Sequence, residues 1–206
     1  MALRLHDYRG RNPLILAIPR GGVPMGKIIA ERLEGELDVV LVHKLGSPFN
    51  PEFAIGAVDE TGATYPAPSA IWFHVTRACV AHEKARQLAL LKERRARYTP
   101  VRPSIDPAGR IVIVVDDGLA TGATMKAALH AVRCRRPAEL VCAVPVAAPQ
   151  CLAQLMPLAD RVLCLDVPSN FYSVGQFFRD FAPVDDEEVI RILADAQVHP
   201  EARTKT

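Results

Sequence analysis

The stretch Ile111-Val112-Ile113-Val114-Val115-Asp116-Asp117-Gly118-Leu119-Ala120-Thr121-Gly122-Ala123-Thr124 reads as a buried strand that ends in two carboxylates and turns, through small residues, into a helix. Five consecutive β-branched residues leave no polar face, the pattern of a strand covered on both sides of a parallel sheet. Such a strand delivers its last residues to the C-terminal edge of the sheet, where ligands of open α/β folds bind. The turn from Thr121 to Thr124 then presents backbone N–H groups and two hydroxyls at a helix start, where unpaired donors and the positive dipole end favour phosphate. Adjacent acids beside a phosphate cradle suit a sugar phosphate: Asp116 and Asp117 accept hydrogen bonds from vicinal ribose hydroxyls while the turn holds the 5-phosphate. A nucleoside triphosphate P-loop is disfavoured because no Lys follows Gly122. Taken alone, Asp116-Asp117-Gly118 is equally compatible with a plain surface turn; the whole string favours the site.

Outward from this string, strand-like runs recur at Leu14–Ile18, Val39–Val42, Leu140–Val146 and Arg161–Leu165. Helical patterns fall at Val23–Leu33, Ala70–Tyr98, Met125–Arg133 and Glu187–Ala196, the last opened by Asp185 three residues before Glu188 in the manner of a capping box. The alternation predicts an α/β domain with a mostly parallel sheet. Gly46–Pro68, rich in Gly, Pro, Asn, Glu and Thr, reads as a functional loop with a small hairpin, because so long an idle connection is uncommon. A chain of 206 residues fits a single domain over 1–198, with the flexible loop and hairpin at 45–68 and a polar tail at 199–206.

Apolar residues make up 50% of the chain, aromatics 6% and charged residues 23%, the composition of an ordinary globular domain. No apolar run approaches the ~20 residues needed to cross a bilayer, and Met1–Asn12 carries charges where a signal peptide is apolar, so a soluble, cytoplasmic protein is expected. The five cysteines show no C-x-x-C spacing and are expected to be buried, reduced thiols. The six histidines form no i,i+4 pair on an expected helix, which leaves a histidine-bound metal without support. A net charge of +2 decides nothing about partners.

Val115-Asp116-Asp117-Gly118-Leu119-Ala120-Thr121-Gly122 resembles the phosphoribosyl pyrophosphate (PRPP) binding motif of type I phosphoribosyltransferases, closest in style to the adenine-type enzymes. Ala17-Ile18-Pro19-Arg20-Gly21-Gly22-Val23-Pro24, Val42-His43-Lys44-Leu45-Gly46, Pro51-Glu52-Phe53-Ala54-Ile55-Gly56-Ala57-Val58 and Phe171-Tyr172-Ser173-Val174-Gly175-Gln176 resemble a bacterial group of that family, and the likeness spans about residues 14–195. It implies a three-layer α/β/α fold with a mostly parallel sheet, a flexible loop or hairpin and a small C-terminal hood at 167–180. It also implies Mg²⁺ as cofactor, PRPP and a small nitrogenous acceptor as partners, and a homodimer.

By the resemblance, Asp116, Asp117, Arg20 and Lys44 are the catalytic set, and Ala120, Thr121, Gly122, Ala123 and Thr124 hold the 5-phosphate. Arg20, Gly21, Gly22 and Lys44 hold pyrophosphate; glycines let backbone amides approach an anion and Arg20 offers a charged fork. The peptide before Arg20 is expected to be cis. The family usually has Arg-Lys where this chain has His43-Lys44, which removes one permanent positive charge. Asp116 and Asp117 help to hold Mg²⁺, directly or through water. Ala120 stands where hypoxanthine-guanine enzymes place an acid, and Glu52 or Glu60 is the expected substitute. Phe171 and Tyr172 offer platforms for a flat base. A helix normally precedes the first strand in this family; here only about a dozen residues do, so the start looks truncated and one face of the sheet is expected to lack cover.

The activity implied is transfer of ribose 5-phosphate from PRPP to a nitrogenous base with release of pyrophosphate, a step of nucleotide metabolism. The main rival is a PRPP-sensing regulator that acts on nucleic acid or a protein through the basic segment Arg77–Arg102, with Arg77, Lys84, Arg86, Lys92, Arg94, Arg95, Arg97 and Arg102. The plainer reading of that stripe is a solvated helix face or an oligomer contact. A third reading is a hydrolytic or pyrophosphate-dependent enzyme acting on nucleotides.

Overall fold

The computed structural model describes residues 1–47, 54–66 and 76–198. Its strands are β1 (Leu14–Ala17), β2 (Glu36–Val39), β3 (Val42–Gly46), β4 (Ala54–Asp59), β5 (Thr64–Pro66), β6 (Ile111–Val115), β7 (Glu139–Val146) and β8 (Arg161–Asp166). The helices are α1 (Gly22–Leu33), α2 (Arg77–Tyr98), α3 (Ala123–Cys134), α4 (Pro149–Leu155) and α5 (Asp186–Val198). Five strands form one sheet in the order β2-β1-β6-β7-β8, every neighbouring pair parallel. Side chains alternate across a strand, so Ile15, Ala17, Ile113, Val115, Val141 and Ala143 enter one core with Ile29, Leu33, Val189 and Leu193 of α1 and α5. Leu14, Leu16, Val112, Val114, Leu140 and Cys142 enter the other, with Met125, Leu129 and Leu155 of α3 and α4. Burial on both faces explains the unbroken apolar runs, each fully buried aliphatic side chain being worth about 1.5–3 kcal/mol over its exposed state. The result is the three-layer α/β arrangement the sequence implied.

The strand order reverses between β1 and β6. Chain segments leaving the two strands depart to opposite faces there and open a crevice at the C-terminal edge. The loops after Ala17 and Val115 are therefore neighbours by topology, and Ile18 N donates to Val115 O at 2.8 Å.

Three expectations differ from the structure: the strand at Val39–Val42, the uncovered N-terminal face and the burial of every cysteine. Val39–Val42 is not one strand: β2 ends at Val39 and β3 starts at Val42 in a second, antiparallel sheet, β3-β4-β5. The run is apolar because the joint is buried from both sides, with Val39 and Leu41 in one core and Val40 and Val42 in the other. The body of β2 escaped notice because Glu36 and Asp38 are polar; arginines satisfy both.

Within the Gly46–Pro68 stretch, the described residues 54–66 form the small hairpin that was expected, β4 and β5. Its turn is pinned by Asp59, which accepts hydrogen bonds from Thr61 N, Thr61 Oγ1 and Ala63 N on one oxygen and from Tyr65 Oη on the other. Helix α2 begins at Arg77, capped by Thr76, whose Oγ1 accepts from Cys79 N at 3.3 Å; the earlier part of the expected helix falls mainly outside the described residues. The N-terminal face is covered, because Ala2–Tyr8 form a 3-10 helix that buries Leu5 and Tyr8. Of the free cysteines, Cys79 and Cys134 are exposed, contrary to expectation, while Cys142 and Cys151 are buried.

Candidate functional site

The two turns at the sheet's reversal meet side by side. A Cβ placed on Gly21 would lie 1.9 Å from Asp117 Oδ2, and one on Gly22 would lie 2.7 Å from Val115 O and 3.1 Å from Asp116 Cα. Only glycine lets the Arg20-Gly21-Gly22 turn come this close. The Pro19–Arg20 peptide is cis, as expected, and Arg20 is exposed at the rim.

Two helices begin here, and neither is capped by a side chain. Gly21 is the N-cap of α1 and Gly122, left-handed at φ 69°, is that of α3. Thr121 Oγ1 reaches only Ala123 N, at 3.4 Å. Helices α2 and α5, away from this edge, do have side-chain caps, Thr76 and Asp185. In α1 the first two amides already donate to backbone, Gly22 N to Ile18 O and Val23 N to Arg20 O at 3.1 Å each, whereas the first N–H groups of α3 are left to a ligand; the positive ends of both helices suit an anion.

The acid pair is held by the backbone: Asp116 Oδ1 accepts from Asp117 N at 2.9 Å. Burial, and after it the neighbouring Asp117 carboxylate, push the Asp116 carboxyl well above the ordinary carboxylate range, and burial raises Asp117 as well. Hydroxyl donors or a cation at the pair would favour its ionised form. The donor set is hard oxygen, which fits Mg²⁺. Among the described residues no three His, Cys, Asp or Glu side chains cluster as a metal cage, so the pair suits a cation whose other ligands are substrate oxygens and water.

A raised folded-state pKa means stability that is complete below the unfolded value, near 3.8 for Asp, and lost as pH rises through the folded one. Asp116→Asn keeps an oxygen for Asp117 N and removes the charge. It should therefore melt a few degrees higher than wild type at pH 8, with the advantage vanishing near pH 4. Thermal unfolding at both pH values checks this; an unchanged melting point at pH 8 would show that the pair carries no buried charge.

Lys44 sits on β3, paired with Ala57 of β4. His43 points to the opposite face of that strand, toward α2, where burial first and Arg94 next lower its pKa. It does not replace the missing arginine. Glu60 is not available for proton transfer: it forms an ion pair with Arg95, Nη2 to Oε1 at 2.8 Å. Glu52 lies outside the described residues.

The hood is anchored to the site by Val174, since a Cβ on Gly118 would lie 2.7 Å from Val174 Cγ1. Ser173 and Gln176 close it with a capping box, and Gln176 Oε1 also accepts from Tyr172 N at 3.0 Å. Phe171 is half-buried and tilted against Phe177 at 5.6 Å, whereas Tyr172 is 88% exposed. Cys151 and Lys126 border the turn at Gly122, with Gln154 behind Lys126, and the sequence pattern did not single out any of the three. They lie on helices whose pattern shows only packing. Cys151 Sγ donates to Ala120 O at 3.1 Å, and Lys126 Nζ donates to Gln154 Oε1.

A family model described as a phosphoribosyl transferase domain matches residues 1–181. The crystal structure of TT1426 from Thermus thermophilus is similar, with 45% identity and a TM-score of 0.85, covering 94% of this chain and 92% of that one. A Mycobacterium tuberculosis protein named "Putative phosphoribosyl transferase Rv0571c" is 39% identical over 194 residues, which is 94% of this chain. This chain spans only 44% of that relative's length.

Proposed function

Because the chain belongs to the phosphoribosyl transferase domain family, we propose that it transfers ribose 5-phosphate from PRPP to a nitrogenous base and releases pyrophosphate. The observation that carries this is the contact of Gly21 with Asp117, which sets an acid pair between two helix starts without side-chain caps. In this reading residues 1–198 act as one domain.

The α3 amides and the hydroxyls of Thr121 and Thr124 hold the 5-phosphate, with Ala120, Gly122 and Ala123 shaping the turn. Asp116 and Asp117 accept hydrogen bonds from the ribose hydroxyls, which fixes the ring and puts negative charge near the anomeric carbon as it becomes positive. Arg20, Lys44 and the turn at Gly21 and Gly22, with the amide of Gly21, hold the departing pyrophosphate. Preorganised donors of this kind stabilise charge that develops only in the transition state. Bound Mg²⁺ would neutralise part of the pyrophosphate charge. The hood, through Phe171 and Tyr172, offers the acceptor pocket, and Tyr172 has no packing role that conflicts with stacking on a base.

The regulator reading is less favoured, because five of the eight basic residues named for it are paired within the chain. Of the basic stripe, Arg86 pairs with Glu83, Arg94 and Arg97 with Asp186, Arg95 with Glu60 and Asp38, and Arg102 with Glu36. Cations already paired within the chain are poor counter-charges for nucleic acid. No helix among the described residues is long and apolar enough to cross a membrane. A homodimer is consistent with the edge strand β8, where Leu165 is 46% exposed and the following Val167 42%.

The test is calorimetric binding of PRPP with Mg²⁺, together with pyrophosphate release across purine, pyrimidine and nicotinate-type acceptors. Wild type should bind PRPP and release pyrophosphate with at least one acceptor. Asp117→Asn should bind PRPP about tenfold or more weakly, through the loss of charge-assisted hydrogen bonds. Equal affinity in the two proteins would falsify the placement of the ribose. Tight PRPP binding without turnover on any acceptor would favour a sensor instead.

A further inference from the structure

We propose that Lys126 supplies the cation for the 5-phosphate, a role that rests on the ribosyl-phosphate reading above. Lys126 lies in the first turn of α3, its amide donating to Gly122 O at 2.9 Å. Side chains on a helix lean toward its N-terminus, and this one does so: its Cε is 3.9 Å from where a Cβ on Gly122 would stand. The ammonium therefore hangs beside the turn that exposes the uncapped amides of α3. Its partner there is the Gln154 side-chain carbonyl, a neutral acceptor on α4.

The same short helix carries Cys151, which donates to Ala120 O and packs 3.7 Å from the Gly122 position. Burial keeps the Cys151 thiol above its ordinary pKa, so it stays a hydrogen-bond donor. Helix α4 thus does two things at the turn: Cys151 holds its backbone, and Gln154 holds the ammonium whose Cε lies beside Gly122. A phosphate dianion is a far stronger acceptor for an ammonium than a side-chain amide. On binding, Lys126 leaves Gln154 for the phosphate and adds a full charge to the partial charges of the helix start. The residue is one for binding and takes no part in bond making.

Calorimetry with PRPP and with ribose 5-phosphate, on wild type, Lys126→Gln, Lys126→Arg and Gln154→Ala, tests this; melting curves confirm that each variant is folded. Lys126→Gln should weaken both ligands alike, about tenfold, because both carry the 5-phosphate. Lys126→Arg should recover most of the loss. Gln154→Ala should bind at least as tightly as wild type, since it frees the ammonium. Arg20→Gln serves as the contrast and should weaken PRPP alone. The proposal is overturned if Lys126→Gln binds like wild type, or if Gln154→Ala loses as much as Lys126→Gln, which would make the pair a mere prop for α4. Wild type that binds neither sugar phosphate overturns the site reading itself and removes the role of Lys126 with it.

Discussion

Gly21→Ala should fold like the wild type yet bind PRPP about 100-fold more weakly. The backbone at Gly21, φ −59° and ψ −32°, is open to any residue, so alanine brings no dihedral strain. The methyl group would arrive 1.9 Å from Asp117 Oδ2 and 2.8 Å from its Cγ, so the carboxylate must turn away. Turning the end of a short side chain costs the fold little. It removes from the ribose the acceptor of its charge-assisted hydrogen bonds, each worth about 1.5–3 kcal/mol, and places a methyl where the two turns meet. Gly22→Ala gives the contrast. There the methyl meets the backbone of Val115 and Asp116, which cannot swing aside, and the expected result is a loss of about 2–3 kcal/mol in stability. Urea melts and PRPP calorimetry on the two variants separate these effects. Full PRPP affinity in Gly21→Ala would mean that the Gly21–Asp117 contact lies outside the ligand site.

Arg95→Met should destabilise the protein by about 3–5 kcal/mol, although it lies away from the site. Asp38 is 1% exposed, and its charge is met by Arg95 Nη1 at 3.3 Å and by the amides of Val39 and Ile105 at 2.7 and 2.9 Å. Arg95 also donates to Glu60 and to Val39 O, tying α2 to the end of β2 and to the hairpin turn. Methionine fills the volume and leaves Asp38 buried without its cation. Burial already raises the Asp38 pKa, with Arg95 pulling against it. Without Arg95 the pKa rises further, and stability is lost as pH climbs through that value. The deficit should therefore be large at pH 8 and smaller near pH 4, as denaturant unfolding at the two pH values will show. Arg95→Met with Asp38→Asn should recover much of it. A deficit of the same size at both pH values would point to lost packing rather than to an unpaired carboxylate.

The parallel strands and their helices were legible because both faces of the sheet are buried: Ile111–Val115 and the run from Leu140 to Val146 have no polar side to hide. The two glycine turns were legible because each puts small residues, and in the second also hydroxyl residues, in consecutive positions between a buried strand and a helix start. Reading failed where polarity was balanced across space. Glu36 and Asp38 look unlike a strand until Arg95, Arg102 and Arg110 are brought to them from 57 to 74 positions further along. Arg94, Arg95 and Arg97 of α2 look free until their carboxylate partners, from β2, the hairpin and α5, fold onto them.

Local sequence by itself determined the α/β class, the acid pair at a strand end and the two glycine turns that open α1 and α3. Only the tertiary structure decided that those turns touch, that Val174 reaches Gly118 from the hood, that Glu60 is spent on Arg95, and that Lys126 leans over the Gly122 turn. The reason is one of range. Periodicity, turn chemistry and helix starts are set by neighbours along the chain, whereas charge pairing and close approach depend on the strand order that lays β1 against β6.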